Sequence, residues 1–410
     1  MKAFKYRIYP TKSQQEVLES ELGAVRWAYN YYLAANRDLR AIKERRMSFV
    51  EMTTDLARLK MTDEYRWLTG AYAQSLNQAI KNLMDGYTRH KNGQSRAPVF
   101  KSKRDLNQAC YYPQGVKFKG RKVHIPKLGL VKIMLDRYCL GKIKTVTLKK
   151  TPTNKYFVSI LVDDGAEQPK LNKTIPKNKV IGVDVGIKDF AVDSNGNRTA
   201  NPRHFMKYHA RLQTAQKSLS RKQIGSKRRV KQRLKVASIH EKVANCRHDF
   251  LHKTSTKMVD ENQAVILEKL NVKGMTKNRR LAKHVQDLGL GKYSRLVEYK
   301  CAWRGKHFLE IDQWYPSSKT CFECCSVNKD LTLSDRTWEC FSCGTILNRD
   351  LNAAKNIRRE GINVIGQLGV SVLEFSENVE GMSDYYLDLA LTNSSLKEAL
   401  KLSSVVYSAG

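Results

Sequence analysis

At 410 residues with 41% hydrophobic content, the chain is long enough for two or three domains of roughly 150 residues, each with a real core. Its 74 Lys and Arg against 39 Asp and Glu leave a formal charge of +35, which drives a protein strongly and salt-dependently onto phosphate backbones and points to nucleic acid. No stretch approaches the ~20 apolar residues of a bilayer crossing, and Met1-Lys2-Ala3-Phe4-Lys5 lacks a signal-peptide core, so a cytosolic protein is expected.

Phe4, Tyr6 and Ile8 alternate with Lys5 and Arg7, the period of a half-buried strand with a basic outer face. Pro10 ends it, and Thr11 followed by Gln14 is a capping-box pair that opens a helix through Val17, Leu18, Leu22 and Val25. The pattern stays helical to about residue 95, which predicts a helical insertion over 11–99 behind the first strand. From about 115 to 165 the period changes to two, at Val116 and Phe118, Val123 and Ile125, then Tyr156, Val158, Ile160 and Val162. These short strands predict a small antiparallel barrel built from 1–10 and 100–175.

Val180-Ile181-Gly182-Val183-Asp184-Val185 is a near-continuous apolar run, expected to be a central strand covered on both faces, with Phe190-Ala191-Val192 following by a hairpin. From 201 to 253 there are fifteen Lys and Arg against two acids, and Val236, Ile239, Val243, Cys246 and Phe250 recur at spacings of 3, 4, 3 and 4. That predicts a basic helical hairpin turning near Gly225-Ser226, which reads either as a solvated surface pair or as an arm facing nucleic acid. The excess favours the arm, with Arg221, Lys222, Lys227, Arg228 and Arg229 as phosphate contacts. From Ile365 to Gly410 the balance reverses to two Lys against six acids, so 365–410 is expected to be a separate, acidic and mobile tail.

Nine cysteines include Cys321-x2-Cys324 and Cys340-x2-Cys343, a spacing that lets four thiolates wrap one tetrahedral, structural Zn²⁺. Cys325 adds a fifth thiol able to compete as ligand. Three acids stand out elsewhere. Asp184 lies inside an apolar strand, Glu268 closes Ala264-Val265-Ile266-Leu267, and Asp350 precedes a helix-forming run, where by itself it reads as an N-cap or first-turn acid. A buried acid needs a partner such as a cation, and three hard oxygen donors suit Mg²⁺ or Mn²⁺ ions that drive phosphodiester hydrolysis. No Ser-His-Asp order or P-loop offers a rival site.

Val183-Asp184-Val185-Gly186-Ile187-Lys188-Asp189, Leu267-Glu268-Lys269-Leu270-Asn271-Val272-Lys273-Gly274-Met275, Tyr315-Pro316-Ser317-Ser318-Lys319, the paired CxxC ribbon and Arg349-Asp350-Leu351-Asn352-Ala353-Ala354 together resemble TnpB (OrfB). These are insertion-sequence-encoded relatives of type V CRISPR effectors, and Tyr6-Arg7-Ile8-Tyr9-Pro10-Thr11 resembles their N-terminus. The resemblance spans roughly 1 to 364. It implies an α/β multidomain RNA-guided DNA endonuclease of the prokaryotic cytosol, with a wedge barrel carrying the helical recognition insertion. A RuvC-like domain of RNase H fold would follow over 176–316, with a zinc ribbon at 317–346 and a final RuvC segment at 347–364.

In that picture Asp184, Glu268 and Asp350 are the catalytic, Mg²⁺-holding triad, and Cys321, Cys324, Cys340 and Cys343 hold the zinc. A guide RNA from the element's own end supplies sequence specificity to a monomeric ribonucleoprotein, while the protein reads a short adjacent motif in double-stranded target DNA. Gln74, Asn77 and Gln78 are candidates for that motif, since amides can read adenine edges; they read equally as exposed helix polar residues. Two departures mark this chain: Cys325 where the family usually has Gly, and Asn348 in Leu347-Asn348-Arg349-Asp350 where His-Asp-Arg-Asp is common. The alternatives are a nuclease-dead RNA-guided DNA-binding regulator and a strand-transferring transposase.

Overall fold

The computed structural model describes residues 1–374 apart from 104–107, 138, 168, 280 and 333. Its contacts divide the chain into two compact units, one of Met1–Glu167 with Leu212–Glu241, the other of Gln168–Arg211 with the chain from Lys242 onward.

In the first unit, strand β1 (Lys2–Tyr9) buries Tyr6 and Ile8 and turns Lys5 and Arg7 to the other face, where both cations lie over the Phe157 ring. Thr11 caps helix α1 (Lys12–Ala41) with both halves of the capping box formed. Leu18, Leu22 and Val25 are buried as their spacing demands, whereas Val17 sits off that stripe and is exposed. Helices α2 (Phe49–Leu59) and α3 (Ala73–Lys91) follow, then strands β2 (Gln108–Tyr112), β3 (Lys117–Lys119), β4 (Lys122–Ile125), β5 (Gly129–Met134), β6 (Lys142–Lys150) and β7 (Tyr156–Asp163).

The seven strands form one antiparallel sheet in the order β2-β6-β7-β1-β5-β4-β3. The first strand in sequence therefore lies in the middle, pairing Tyr6 with Val158 and Ile8 with Ile133, and the helices are an excursion from it. Two features differ from the expectation. The sheet starts before 115, at β2, and its ladder leaves β2 and β3 as edges among the described residues, so the pairing does not close into a barrel.

The second unit opens with β8 (Thr174–Pro176), β9 (Val180–Val185), β10 (Asp189–Asp193) and β11 (Arg198–Ala200). Helices α4 (His204–Ser220) and α5 (Lys227–Glu261) make the basic hairpin, with Gly225 at φ +89° between them. Residues 212–241 of that hairpin group with the first unit, which corrects the expectation that the whole arm belongs to the stretch 176–316. Next come β12 (Ala264–Glu268), α6 (Val272–Met275), α7 (Ala282–Leu288), α8 (Leu290–Trp303), β13 (His307–Ile311), β14 (Thr337–Glu339), β15 (Ile346–Asn348), α9 (Arg349–Gln367) and β16 (Ser371–Leu373).

The sheet order is β11-β10-β9-β12-β13, antiparallel through β9 and parallel from β9 to β13. Central β9 is covered twice. Ile181 and Val183 pack with Val265 and Leu267 against Leu251, Val259, Tyr293 and Val297 of α5 and α8, while Val180, Ala264 and Ile266 pack against Ile357 and Ile365 of α9. The acidic tail does not begin at 365: Ile365 is buried in α9, and β16 pairs in parallel with β8 through Val372 and Ile175. The remainder of the expected tail, from 375, lies outside the described residues.

Helix α9 reaches the sheet where side chains vanish. A Cβ on Gly182 would overlap the Ala354 carbonyl oxygen and the Arg358 amide, and one on Gly361 would overlap the Ile266 side chain. Because backbone at Gly182 cannot yield as a side-chain tip can, Gly182→Ala should displace α9 and cost about 1–3 kcal/mol. Urea unfolding of the two proteins measures this; equal midpoints and slopes would refute the contact's importance.

Candidate active site

Strands β9 and β12 run in register as far as Val183 beside Leu267, so Asp184 and Glu268 follow at the same carboxyl end of neighbouring strands. Side chains alternate across a strand. Gly182 and Ile266 face α9, and two residues later Asp184 and Glu268 share that face. Asp350 sits in the first turn of α9, whose N-cap is Asn348 with its Oδ1 accepting from the Leu351 amide at 3.2 Å. Of the two local readings of Asp350, the structure takes the second: the departure residue Asn348 caps, and Asp350 is a first-turn acid.

Burial, followed by the charges of Asp350 and Glu268, pushes the Asp184 carboxyl up to about 7, against the pull of Arg349 and Arg336. Burial also raises Glu268. Arg336 Nη1 lies 3.4 Å and Arg198 Nη1 4.0 Å from the Asp350 carboxylate, and Arg198 further bridges to Asp189 and to Asn348 Oδ1, each at 2.9 Å. Asp350 and Glu268 are thus each within electrostatic reach of Asp184, with guanidinium groups around Asp350. Sequence reasoning missed Arg198 and Arg336; neither carries a local signal, because a β11 residue and a ribbon residue meet α9 only in the fold.

The acids are not gathered as tightly as the thiols. Among the described residues, the group whose ligand atoms all lie within 4.8 Å is Cys321, Cys324, Cys340 and Cys343. Cys321 and Cys343 sulfurs are 3.7 Å apart and Cys324 and Cys340 sulfurs 3.5 Å apart. Four thiolates at about 2.3 Å from a tetrahedral zinc stand roughly 3.8 Å from one another, so this set fits Zn²⁺. Hydrogen bonding from Ser326 lowers the Cys324 and Cys340 thiols, toward the thiolate a metal requires, whereas burial raises Cys321. Cys325 stays out of the set; its Sγ accepts from Arg359 Nη1 at 3.0 Å.

Two buried asparagines of α9 join the ribbon to the acid site. Asn352 accepts from the Phe322 amide at 2.9 Å and donates to the Thr320 carbonyl at 2.7 Å. Asn356 donates to the Ser317 and Thr320 carbonyls at 2.9 and 2.6 Å. The helix that presents Asp350 therefore also grips the first zinc knuckle. Sequence reasoning passed over both; their signal was an Asn pair at i, i+4 in an otherwise amphipathic helix.

The nucleic-acid candidates fall in the first unit. Gln74, Asn77 and Gln78 are half-buried on α3, and Gln78 Nε2 donates to Asn82 at 3.1 Å. Around the hairpin turn, Arg221, Lys227 and Arg228 are exposed and Lys222 half-exposed. Arg229 differs: its Nη1 donates to the Leu219 and Lys222 carbonyls at 2.9 and 2.7 Å, so it closes the turn.

Family models match over three stretches: OrfB_IS605, described as "Probable transposase", over residues 159–279; a Cas12f1-like TNB domain over 291–357; and an OrfB helix-turn-helix domain over 1–45. A relative from Streptomyces pristinaespiralis, provisionally named as an RNA-guided DNA endonuclease, is 34% identical over 366 residues, covering 88% of this chain and 89% of its own. The chain belongs to the TnpB (OrfB) family. InsQ of Escherichia coli K12, provisionally named in the same way, is 29% identical over 382 residues, covering 89% of this chain and 93% of its own. In solved structures, Cas12f1 from a complex with sgRNA and target DNA aligns over 85% of this chain and 83% of its own at TM-score 0.52 and 16% identity, a likeness of fold. In this chain the 1–45 stretch is a strand and one long helix rather than two helices about a turn. Its TNB match spans both the thiol cluster and Asp350. No helix among the described residues is long and apolar enough to cross a membrane.

Removing the Asn356 side chain takes the donor from the Ser317 carbonyl and leaves the Thr320 carbonyl to Asn352 alone, which should cost about 1–3 kcal/mol. Asn356→Ala should also release zinc faster to a chelator. An unchanged release rate, followed with a colorimetric zinc indicator, would separate the ribbon from α9.

Proposed function

We propose that the chain is an RNA-guided DNA endonuclease of an insertion sequence that hydrolyses target DNA at Asp184, Glu268 and Asp350. The observation that carries this reading is the placement of Asp184 and Glu268 at neighbouring carboxyl ends of β9 and β12, with Asp350 in the first turn of α9, the helix that packs on that face. The names of the curated relatives support the guided substrate. An antiparallel hairpin β9–β10–β11 continued by parallel β12 and β13, with α9 across one face, supports a RuvC-like RNase H assignment for the second unit. The sheet of the first unit is then the wedge and α1–α3 the recognition insertion, with the basic hairpin near guide RNA and DNA.

Hard carboxylate oxygens suit Mg²⁺ or Mn²⁺, which when bound supply an activated water and neutralise the leaving oxygen. The chain's own residues do the rest. Asp184 and Glu268, fixed by neighbouring strands, define a rigid pair of oxygen donors, and Asp350 completes it from a separate element. Arg336 and Arg198 orient the Asp350 carboxylate and bring positive charge beside the place where a scissile phosphate would sit.

In cells carrying a plasmid library with randomised bases beside a guided target, the wild type should deplete one adjacent motif, and Asp184→Ala should deplete none while still binding RNA and target DNA. Cleavage surviving in Asp184→Ala would overturn the triad; wild-type binding without depletion would favour the regulator.

Asp184 also ties cation binding to pH. Its folded pKa, about 7, lies above the ordinary carboxylate value, so between about pH 4 and 7 the folded form holds a proton that the unfolded chain has lost. Cation-free stability therefore falls as pH rises through that window. Mg²⁺ should raise the melting temperature more at pH 8 than at pH 5.5, and Asp184→Asn should abolish most of that difference. Equal Mg²⁺ shifts at both pH values would contradict it.

A further inference from the structure

The helical part of the first unit carries an open cleft of about 600 Å³ for which the cleavage chemistry has no use. Ser20, Gly23, Trp27 and Tyr31 line it along one stripe of α1, across the helix from buried Leu18, Leu22, Val25 and Tyr29. The small residues open the space and the aromatic ones wall it. Trp27 and Tyr31 stack at 4.7 Å with planes 24° apart. Trp67, from the 3₁₀ turn Arg66–Gly70, stands edge-on to Trp27 at 5.8 Å and 78°. Trp67 remains 47% exposed, as Trp303 does at 48%, but Trp67 lines a cleft with other aromatic rings.

Arg26 lines the same cleft and forms no ion pair among the described residues. Asn30, also in the lining, has both ends of its amide committed to the Lys101 backbone at 2.8 Å. Tyr31 and Tyr65 pack on Trp27, so the cleft offers the half-exposed Trp67 ring and an unpaired planar cation, while the amide that would read a hydrogen-bonding edge is already bonded to backbone.

We propose that this cleft receives an unpaired nucleobase of a single strand, stacked on the half-exposed Trp67 ring with Trp27 edge-on beside it and Arg26 on the adjoining phosphate. Stacking of that kind is tolerant of sequence because every base has a π-face, and Arg can serve phosphate and ring alike. The excess positive charge of the chain supplies complementarity to a strand and not to an apolar peptide. The inference extends the guided-nuclease reading, but its test reads binding and not cleavage, so either can fail alone.

The test compares the purified full chain's affinity for a hexaadenylate RNA and for an abasic strand with the same phosphates, by fluorescence anisotropy at one salt concentration. The wild type should bind the base-bearing strand about tenfold more tightly, the size of one stacked base. Trp67→Ala, at a half-exposed position, should lower that affinity to the abasic level and leave abasic binding unchanged, and Trp67→Phe should retain the preference. A hexadeoxyadenylate arm separates the sources. Trp67-dependence in both sugars assigns the cleft to any unpaired strand, and dependence in the ribose strand alone assigns it to RNA; either carries the proposal. A base preference that persists in Trp67→Ala, or no preference in the wild type, would overturn it and leave the cleft to a protein side chain.

Discussion

The close approach of α9 to β9 at Gly182 is the constraint on which the second unit depends. With no Cβ at 182, helix backbone meets strand backbone, and Ile357 and Ile365 can fill the space over Val180, Ala264 and Ile266. That packing closes one face of the sheet. It also fixes where the helix begins, and so carries Asp350 to the strand ends where Asp184 and Glu268 lie. A residue that contributes no side chain thus sets the position of a carboxylate many residues away.

The same helix binds the ribbon through Asn352 and Asn356, both buried. Buried amides are costly unless satisfied, and here their donors meet carbonyls of the Ser317–Thr320 segment that leads into the first knuckle. The thiol cluster can then act at a distance. Folding the knuckle presents those carbonyls in a fixed array, and the array holds the first turns of α9. The thiol cluster and the Asp350 carboxylate share one rigid element, which couples the stability of one to the placement of the other.

Local chemistry was legible and non-local geometry was not. The capping box at Thr11, the doubly covered run 180–185 and the paired CxxC pattern each encode their structure within a few residues, and each forms in place. Strands β2, β5, β6 and β13 gave little warning. Lys142–Lys150 reads as polar because Lys and Thr occupy its solvent side, and only Val146 and Leu148 are fully buried. The end of α9 was misread as the start of a tail because charge composition changes at 365 while packing does not. Arg198 and Arg336 belong to the acid site through tertiary contacts alone. At the hairpin turn, charge suggested five equivalent phosphate contacts, yet Arg229 spends its guanidinium on backbone carbonyls.

The departure at Cys325 shows how a local rule can be broken and compensated. Its backbone adopts φ +63°, the left-handed conformation that Gly344 adopts at +71° after the second pair, and a side chain there costs roughly 1–2 kcal/mol. The side chain brings something in return. Arg359 reaches from α9 to the Cys325 sulfur and the Phe322 carbonyl, with its guanidinium 4.1 Å from the Phe322 ring centroid. A charge-assisted hydrogen bond and a cation–π contact are each of the same order as the strain. The fifth thiol is thereby drawn away from the metal set and turned into a third tie between the knuckle and α9, beside Asn352 and Asn356. What looks in the sequence like a defect in the ribbon works in the fold as part of its attachment to the helix that bears Asp350.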